Sequence, residues 1–490
     1  MCGIVLQFYN DTKKQASIEV TAQMLSSITH RGSDQNLIHN YKNFHIGFVR
    51  LALTDINIPQ PGESKNWSVF LNGEIYNYNK LGYSGSECEV IAKGLEEEGV
   101  SFISKLNGMF FIVAVHNKKD VYCFRDRYGI KPAYIYRDNE VTLISSEIKP
   151  ILKHPNYKFM LDELALKQWF TLNNNISNTT LFKNIRVIHR GSMTHVNTTW
   201  TTYWNFWRFI EDEKITFDFA VNKTRELVEN AFKLQEPEQK YGICLSSGID
   251  SNIINCLARK DSYSFTAGFV GDNLDVPNEA IIAGKYGINN HQIIYDDVCF
   301  LKEAIYHTED LRVGASWSHF GLYKFASKFV KILFDGAGAD ELFGGYTWRY
   351  NAKDYYSVVN RTGKKCEEVK QLFELTFLSD NIRERFCFDA EYFLESILLV
   401  GDKLSMAHTI EMRFPFLDND LVDFAQKIPF KYKTNKQVLK EAFKDLLPEE
   451  ILSGTKKGFS SPDWFTGEGN KAMKWSNIAY ETWKELYYKQ

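Results

Sequence analysis

Up to about residue 195, short runs in which apolar and polar side chains alternate are separated by turn residues. FHIGFVRLAL, WSVFLNGEIY, GMFFIVAVHN and VYCFRDRYG are the clearest of them. A period of two marks a strand with one buried face, so the series predicts half-buried strands in stacked antiparallel sheets. SECEVIAKGLEEEG predicts a helix, giving an α+β domain of sheets flanked by helices. Polar runs follow at TLNNNISNTT and HVNTTWTTYWN, and the second sets a boundary near residues 196 to 215. The first domain is therefore expected over residues 2–195.

The pattern changes beyond that boundary. KYGICLSS reads as a buried strand and a loop, followed by the helix IDSNIINCLARK. YSFTAGF and HQIIYDD are further strands, with a helix at PNEAIIAGKYG between them. FGLYKFASKF is helical, and VKILFDGAGADE returns to a strand and loop. Strands alternating with helices predict a parallel sheet covered on both faces. From about residue 350 the chain reads as amphipathic helix, with no internal repeat or low-complexity segment. The second domain, residues 216–490, is thus expected to be α/β with a helical C-terminal part.

The chain has 490 residues, too long for a single core. Its net charge of −3 offers no generally basic surface to nucleic acid or an anionic membrane. No apolar run approaches the ~18 residues of a membrane span, and no basic region precedes an apolar segment at the start. A cytoplasmic location is the expectation. The eight cysteines form no CxxC pair, which argues against a zinc site or a disulfide framework. Apart from Cys2, most are expected to be small buried apolar residues. The sequons at Asn175, Asn178 and Asn197 carry no weight without a secretory route.

Ligands in open α/β sheets sit at the carboxyl ends of strands. LSSGIDS, Leu245 to Ser251, occupies that position after the first strand of the second domain. Its small residues allow a phosphate to approach the backbone at a helix N-terminus. The same heptapeptide also suits an ordinary capped helix after a tight turn. The Walker pattern is absent. FDGAGADELFGGY, Phe334 to Tyr346, brings Asp340 and Glu341 to the same sheet edge. Asp250 and Asp340 can then share a Mg²⁺ that bridges nucleotide phosphates, or simply start their helices.

The opening MCGIVLQF poses a separate question. A thiol attacks an amide only as thiolate. Removal of the methionine would expose an α-amine on Cys2 itself, with a reference pKa of about 7.7–8.0. Near neutral pH that amine is a base, so one residue supplies both nucleophile and base.

LSSGIDS resembles the SGGxDS loop of N-type ATP pyrophosphatases. With DGAGADELFGGY, IEMRFPFLD and KKGF, it resembles the synthetase domain of glutamine-dependent asparagine synthetases. The resemblance implies that Asp250 and Asp340 hold the metal and that Lys456 meets pyrophosphate. It implies ATP held by Ser246, Ser247, Gly248, Asp250 and Ser251, flanked by Cys244, Ala267, Asp335 and Gly336. In that family a class II glutamine amidotransferase domain with an N-terminal cysteine nucleophile comes first. NGEIYN then implies an oxyanion hole from Asn72 and Gly73, and RLALTD implies that Arg50, with Leu51 and Thr54, holds the glutamine α-carboxylate. Glu74 is implied at the substrate amide or amine and Glu87 at the α-amine. HRGSDQ, GSECEV, RDRYGIKPAY and SSEIK are further landmarks, so the resemblance runs over nearly the whole chain.

Four positions depart from the family pattern. Glu87 stands where Asp is usual, Phe48 where His often precedes RL, and Ser247 where the loop has its second glycine. Ala337 replaces an acidic residue that helps organise the acceptor; Asp335 is a partial substitute, or the acceptor is not aspartate.

The activity implied is hydrolysis of glutamine through a Cys2 thioester and ATP-driven adenylation of the aspartate side-chain carboxylate. Ammonia then displaces AMP, giving asparagine, glutamate, AMP and pyrophosphate, and an enclosed route for ammonia is expected. The alternatives are amidation of another carboxylate, on a cell-wall precursor, sugar or peptide, and a second domain that only senses nucleotide. Expected partners are small-molecule substrates, with Mg²⁺, and a homodimer is allowed.

Overall fold

The computed structural model describes residues 2–11, 13–196, 198–204, 207–270, 285–312, 316–454 and 469–488. Contacts divide the chain into two units. The first comprises Met1–Leu166, Ser177–Phe206 and Met406–Thr409; the second comprises Lys167–Ile176, Trp207–Ser405 and Ile410–Gln490.

The strands of the first unit are β1 Cys2–Tyr9, β2 Gln35–Asn40, β3 Phe44–Arg50, β4 Gly62–Glu63, β5 Trp67–Ile75 and β6 Gly108–His116. They continue with β7 Asp120–Arg125, β8 Tyr134–Arg137, β9 Val141–Ser145, β10 Ile185–Val187, β11 Ser192–His195 and β12 Thr201–Thr202. One sheet runs β10-β8-β9-β1-β3-β2 and the other β12-β11-β7-β6-β5-β4. Their pairings are antiparallel.

Ile4, Leu6, Phe44, Ile46 and Phe48 of the first sheet share one core with Phe70, Phe111, Val113 and Cys123 of the second. On the opposite face of the second sheet, Val69, Leu71 and Ile112 pack with Val90, Ile91 and Leu95 of helix Glu87–Glu98. The stacked antiparallel sheets are as expected, but the central strands are not half-buried. Every residue of β3 is buried, as is all of β6 except its two ends. Each sheet is covered on both sides, so apolar side chains are needed on both faces.

In the second unit five strands, β13 Gly242–Cys244, β14 Tyr263–Phe269, β15 Asn289–Tyr295, β16 Ile332–Phe334 and β17 Glu411–Arg413, form one sheet in the order β15-β14-β13-β16-β17. All of its pairs are parallel. Four strands match the expected ones. β17 lies within IEMRFPFLD and was not expected, because three residues are too few to show a period. The helix expected at PNEAIIAGKYG falls mostly outside the described residues.

The chain leaves β13 toward β14 and β15, then returns to place β16 on the other side of β13. This reversal opens a crevice at the carboxyl ends of β13 and β16, the place where such sheets bind ligands. Ile243 and Phe334 pair directly, so the loops that follow these two strands emerge side by side.

The second unit also buries an ammonium. Lys433 is inaccessible, and its Nζ lies 4.4, 5.3 and 5.5 Å from the ring centres of Phe209, Phe430 and Phe386. Burial pushes its pKa down from 10.5 to about 7, against the pull of Glu211 and Cys387. Between those two values the unfolded chain holds the extra proton, so stability rises with pH by up to about 1.4 kcal/mol per unit. Lys433→Met is therefore expected to raise the melting temperature at pH 7, with the gain shrinking toward pH 10. Parallel melting curves for the two proteins over that range would contradict this origin.

Candidate functional site

Cys2 begins β1 and pairs across the sheet with Arg50, the last residue of β3. It is buried, and its backbone N donates to Asn72 Oδ1 at 3.1 Å. Asn72 is reached because β5 of the second sheet passes behind β1, and its Nδ2 donates to Ser146 Oγ at 3.3 Å. The same Ser146 hydroxyl accepts from Ile4 N at 3.0 Å, which ties the two sheets together. Gly73 follows with φ of 147°, a region that side-chain-bearing residues avoid. A Cβ there would lie 1.9 Å from Met109 O, so no other residue fits.

Arg50, Thr54 and Glu87 also meet. Arg50 Nη2 donates to the carbonyls of Thr54 at 3.2 Å and Asp55 at 2.9 Å. Thr54 Oγ1 donates to Glu87 Oε1 at 3.4 Å. Glu87 is the first residue of a helix fixed by a capping box. Ser86 Oγ accepts from Glu89 N, and Glu89 Oε2 accepts from Ser86 N at 2.8 Å. Asp55 Oδ2 accepts from Glu87 N at 3.0 Å. Glu87 therefore reaches the Arg50 loop despite its extra methylene. Leu51 and Glu74 are buried, Leu51 directly after β3 and Glu74 on β5 opposite Met109. Phe48 is a core residue, its ring 5.8 Å from that of Phe70.

The remaining cysteines differ from the expectation that most are buried. Cys88 and Cys123 are buried, whereas Cys244, Cys256, Cys299, Cys366 and Cys387 are half-buried. Burial first, then Glu87 and Cys2, raises the Cys88 thiol well above its ordinary range, and burial pushes Cys256 up to about 11. Such thiols are poor nucleophiles.

Three residues of this region carried no assigned role in the sequence. Arg31 Nε donates to Cys2 O at 3.0 Å, and its Nη1 is 2.9 Å from Glu147 Oε1, both side chains fully buried. Ser146 is the third. The landmarks HRGSDQ and SSEIK contain them, so the signal was present without its meaning.

In the second unit, Leu245–Gly248 links β13 to helix Ile249–Leu257. Ser246 N donates to Ser251 Oγ at 3.1 Å, and Gly248 N donates to Ser246 Oγ at 3.2 Å. Asn252 Nδ2 donates to the carbonyls of Ser246 and Gly248, both at 2.8 Å. Ser247 is not among the residues with positive φ, and Gly248 has φ of −73°. Serine in place of glycine is therefore unstrained here. Thr266 Oγ1 donates to Leu245 O at 3.1 Å and so sets the neighbouring Ala267 beside the loop. Cys244 ends β13, and its thiol is raised by burial and by the nearby Asp335.

Asp335 Oδ1 accepts from Ala337 N at 2.8 Å, a turn that shapes the second loop. Gly336 touches the first loop. A Cβ on it would lie 2.7 Å from Asp250 Cβ. Asp250 and Asp340 then converge on one cation, the Lys436 ammonium. Its Nζ lies 2.7 and 2.5 Å from the Asp250 carboxylate oxygens and 2.5 Å from Asp340 Oδ1. Asn435 and Lys436 both have left-handed backbone, φ 55° and 56°, which side chains disfavour. Sequence reasoning missed Lys436, since KTNKQVLK reads as ordinary polar helix and its partner Asp250 lies 186 positions away. Lys456 lies outside the described residues.

Two carboxylates that already grip a cation fit a divalent metal, because Mg²⁺ takes one or two carboxylates together with phosphate oxygens. Burial and the neighbouring Asp340 also push Glu341 up to about 7.

Stacked antiparallel sheets bearing a cysteine at a strand start, and a parallel sheet bearing paired acids at its switch point, define a protein with two chemically distinct sites. Residues 1–207 match the family described as glutamine amidotransferase domain, and residues 223–477 match asparagine synthase. The chain belongs to the asparagine synthase family, as its motifs implied. It is 28% identical to asparagine synthetase [glutamine-hydrolyzing] 1 of Bacillus subtilis (strain 168), over 99% of this chain and 91% of that protein. It is 25% identical to asparagine synthetase [glutamine-hydrolyzing] 3 of Arabidopsis thaliana, over 97% and 82%. A solved glutamine phosphoribosylpyrophosphate amidotransferase from B. subtilis, complexed with ADP and GMP, aligns with a TM-score of 0.31 and 14% identity, over 59% of this chain and 65% of that one. Among the described residues no helix is long and apolar enough to cross a membrane.

Proposed function

We propose that the chain is a glutamine-dependent amide synthetase that converts aspartate to asparagine, with a glutaminase domain over residues 2–195 and a synthetase domain over 216–490. The observation that carries this reading is the grip of Asp250 and Asp340, from two separate loops, on the same Lys436 ammonium. Isolated carboxylates do not converge in a buried crevice without a cation to hold.

In the first domain the Cys2 thiolate adds to the amide carbon of glutamine. The oxyanion is taken by Asn72 Nδ2 and Gly73 N, whose positive φ turns the peptide. Collapse expels ammonia and leaves a thioester, which water cleaves to glutamate. Arg50 takes the α-carboxylate and Glu87 the α-ammonium. The reading requires removal of Met1, so that the Cys2 amine serves as base.

In the second domain a carboxylate oxygen of the acceptor attacks the α-phosphorus of ATP and pyrophosphate leaves. Ammonia then attacks the acyl carbon and AMP leaves. Ser246, Ser247, Gly248 and Ser251 cradle the phosphates, with Cys244, Ala267, Asp335 and Gly336 around the nucleotide. Asp250 and Asp340 would hold Mg²⁺, which would neutralise charge on the phosphates. Lys436 is the cation beside them, and Lys456 is assigned to pyrophosphate.

A second reading is favoured by Ala337, whose methyl cannot organise an amino-acid acceptor, and keeps the chemistry but amidates a different carboxylate. Purified protein with ATP, Mg²⁺ and amide-¹⁵N glutamine is expected to give AMP and an ¹⁵N-labelled amide when offered aspartate. Mass spectrometry across a panel of carboxylates distinguishes the two readings. No AMP with any acceptor would overturn both.

A further inference from the structure

The loop that carries Asp340 ends at Tyr346, whose hydroxyl donates to Glu341 Oε1 at 2.9 Å. Beyond it the second unit gathers three guanidinium groups around one ring. Their carbons lie 4.3 Å (Arg349), 5.3 Å (Arg361) and 5.8 Å (Arg312) from the centre of Phe393. The Arg349 carbon is also 5.1 Å from the centre of the Tyr346 ring.

Among the described residues, only Arg349 of the three has a carboxylate in direct contact. Arg349 is 1% exposed and its Nη1 donates to Asp389 Oδ1 at 2.7 Å, yet its Nε and Nη2 are buried without a partner among the described residues. Arg312 Nη1 donates to Asn174 Oδ1 at 2.8 Å, an uncharged group. The ion pairs nearby engage Lys403 with Glu309 and Arg385 with Asp380, and among the described residues none engages Arg361. Arg361 is exposed, while Arg312 and Tyr346 are half-buried, so the cluster is reachable from solvent. The neighbouring Asp310, whose charge also acts on Arg312, is weakened, because burial pushes it up to about 6.

Stacking on Phe393 explains why each guanidinium tolerates its place. It does not explain why three positive charges share it, since like charges repel more strongly away from water. An anion delivered from solvent would relieve that repulsion, and the planar forks of arginine suit carboxylate and phosphate oxygens.

We propose that Arg312, Arg349 and Arg361 form an anion subsite beside the Asp340 loop, and that it takes a doubly charged acidic group of the acceptor. That group is a phosphate monoester or a pair of carboxylates, borne in addition to the carboxylate that is activated. The assignment rests on the second reading above, in which the synthetase domain amidates a carboxylate other than that of aspartate.

The test titrates the full chain with malonate and with inorganic phosphate by calorimetry, in parallel with acceptor kinetics. Both anions are expected to bind, with affinity falling tenfold or more in Arg361→Gln and in Arg312→Gln. Arg361→Lys should keep most of it. Among acceptors, a phosphorylated carboxylate or a tricarboxylate should show a lower KM than aspartate. That KM should rise at least tenfold in Arg361→Gln while the KM for ATP holds. Anions that fail to bind, or that bind Arg361→Gln as tightly as wild type, overturn the subsite. A panel that yields no AMP overturns the synthetase reading instead, and the titrations still report on the subsite itself.

Discussion

Cys2→Ala is expected to cut glutamine-driven amidation by roughly 10³-fold or more, while turnover with added ammonium salt persists. Removing a covalent nucleophile leaves only binding and oxyanion stabilisation, and these do not replace the missing bond-forming atom. The persistence is as informative as the loss. Asp250, Asp340 and Lys436 all belong to the second unit and owe nothing to the thiol. Alanine fits the buried position, because Cys2 belongs to the apolar core that also holds Ile4 and Phe48. Product analysis with each nitrogen source checks the split. Equal loss with both sources would mean that the thiol acts in the synthetase step, and the two-site reading would fall.

Asp340→Asn is expected to have the opposite signature. ATP–pyrophosphate exchange and amidation from either nitrogen source should fall by roughly 10²–10³-fold, the usual scale for losing one electrostatic contact to a reacting phosphate. Glutamine hydrolysis should continue. The amide keeps the size and much of the hydrogen bonding of the carboxylate but removes its charge. Lys436 retains Asp250 as a partner at 2.5 Å, so the fold survives. A carboxylate with a purely structural role would give a lowered melting temperature with exchange intact, and that outcome would remove Asp340 from the proposed site. Exchange is the appropriate measurement because it needs no ammonia, so it reports adenylation separately from amide formation.

Much of this architecture is legible in the amino-acid sequence. The period-two runs identified β3, β5, β6 and β7, and the run SECEVIAKGLEEEG identified helix Glu87–Glu98, whose capping box lies within its first residues. β17 was not legible. Its three residues are a strand only because β16 offers them a partner, with Leu333 opposite Met412. The burial of both faces of β3 and β6 was equally hidden, since alternation reports one covered face and not a second.

The candidate sites divide in the same way. Gly73 and Glu87 carry their constraint locally, in a backbone angle and a helix start. Arg31, Ser146 and Lys436 carry theirs only through partners at least 29 positions away. The kinds of chemistry present, a thiol beside an oxyanion turn and paired acids on small-residue loops, were set by short stretches whose geometry is local. Which charged groups confront one another was decided by tertiary structure alone. A sheet that reverses direction at β13 lays its loops side by side, and electrostatic energy depends on distance in space, to which separation along the chain is no guide.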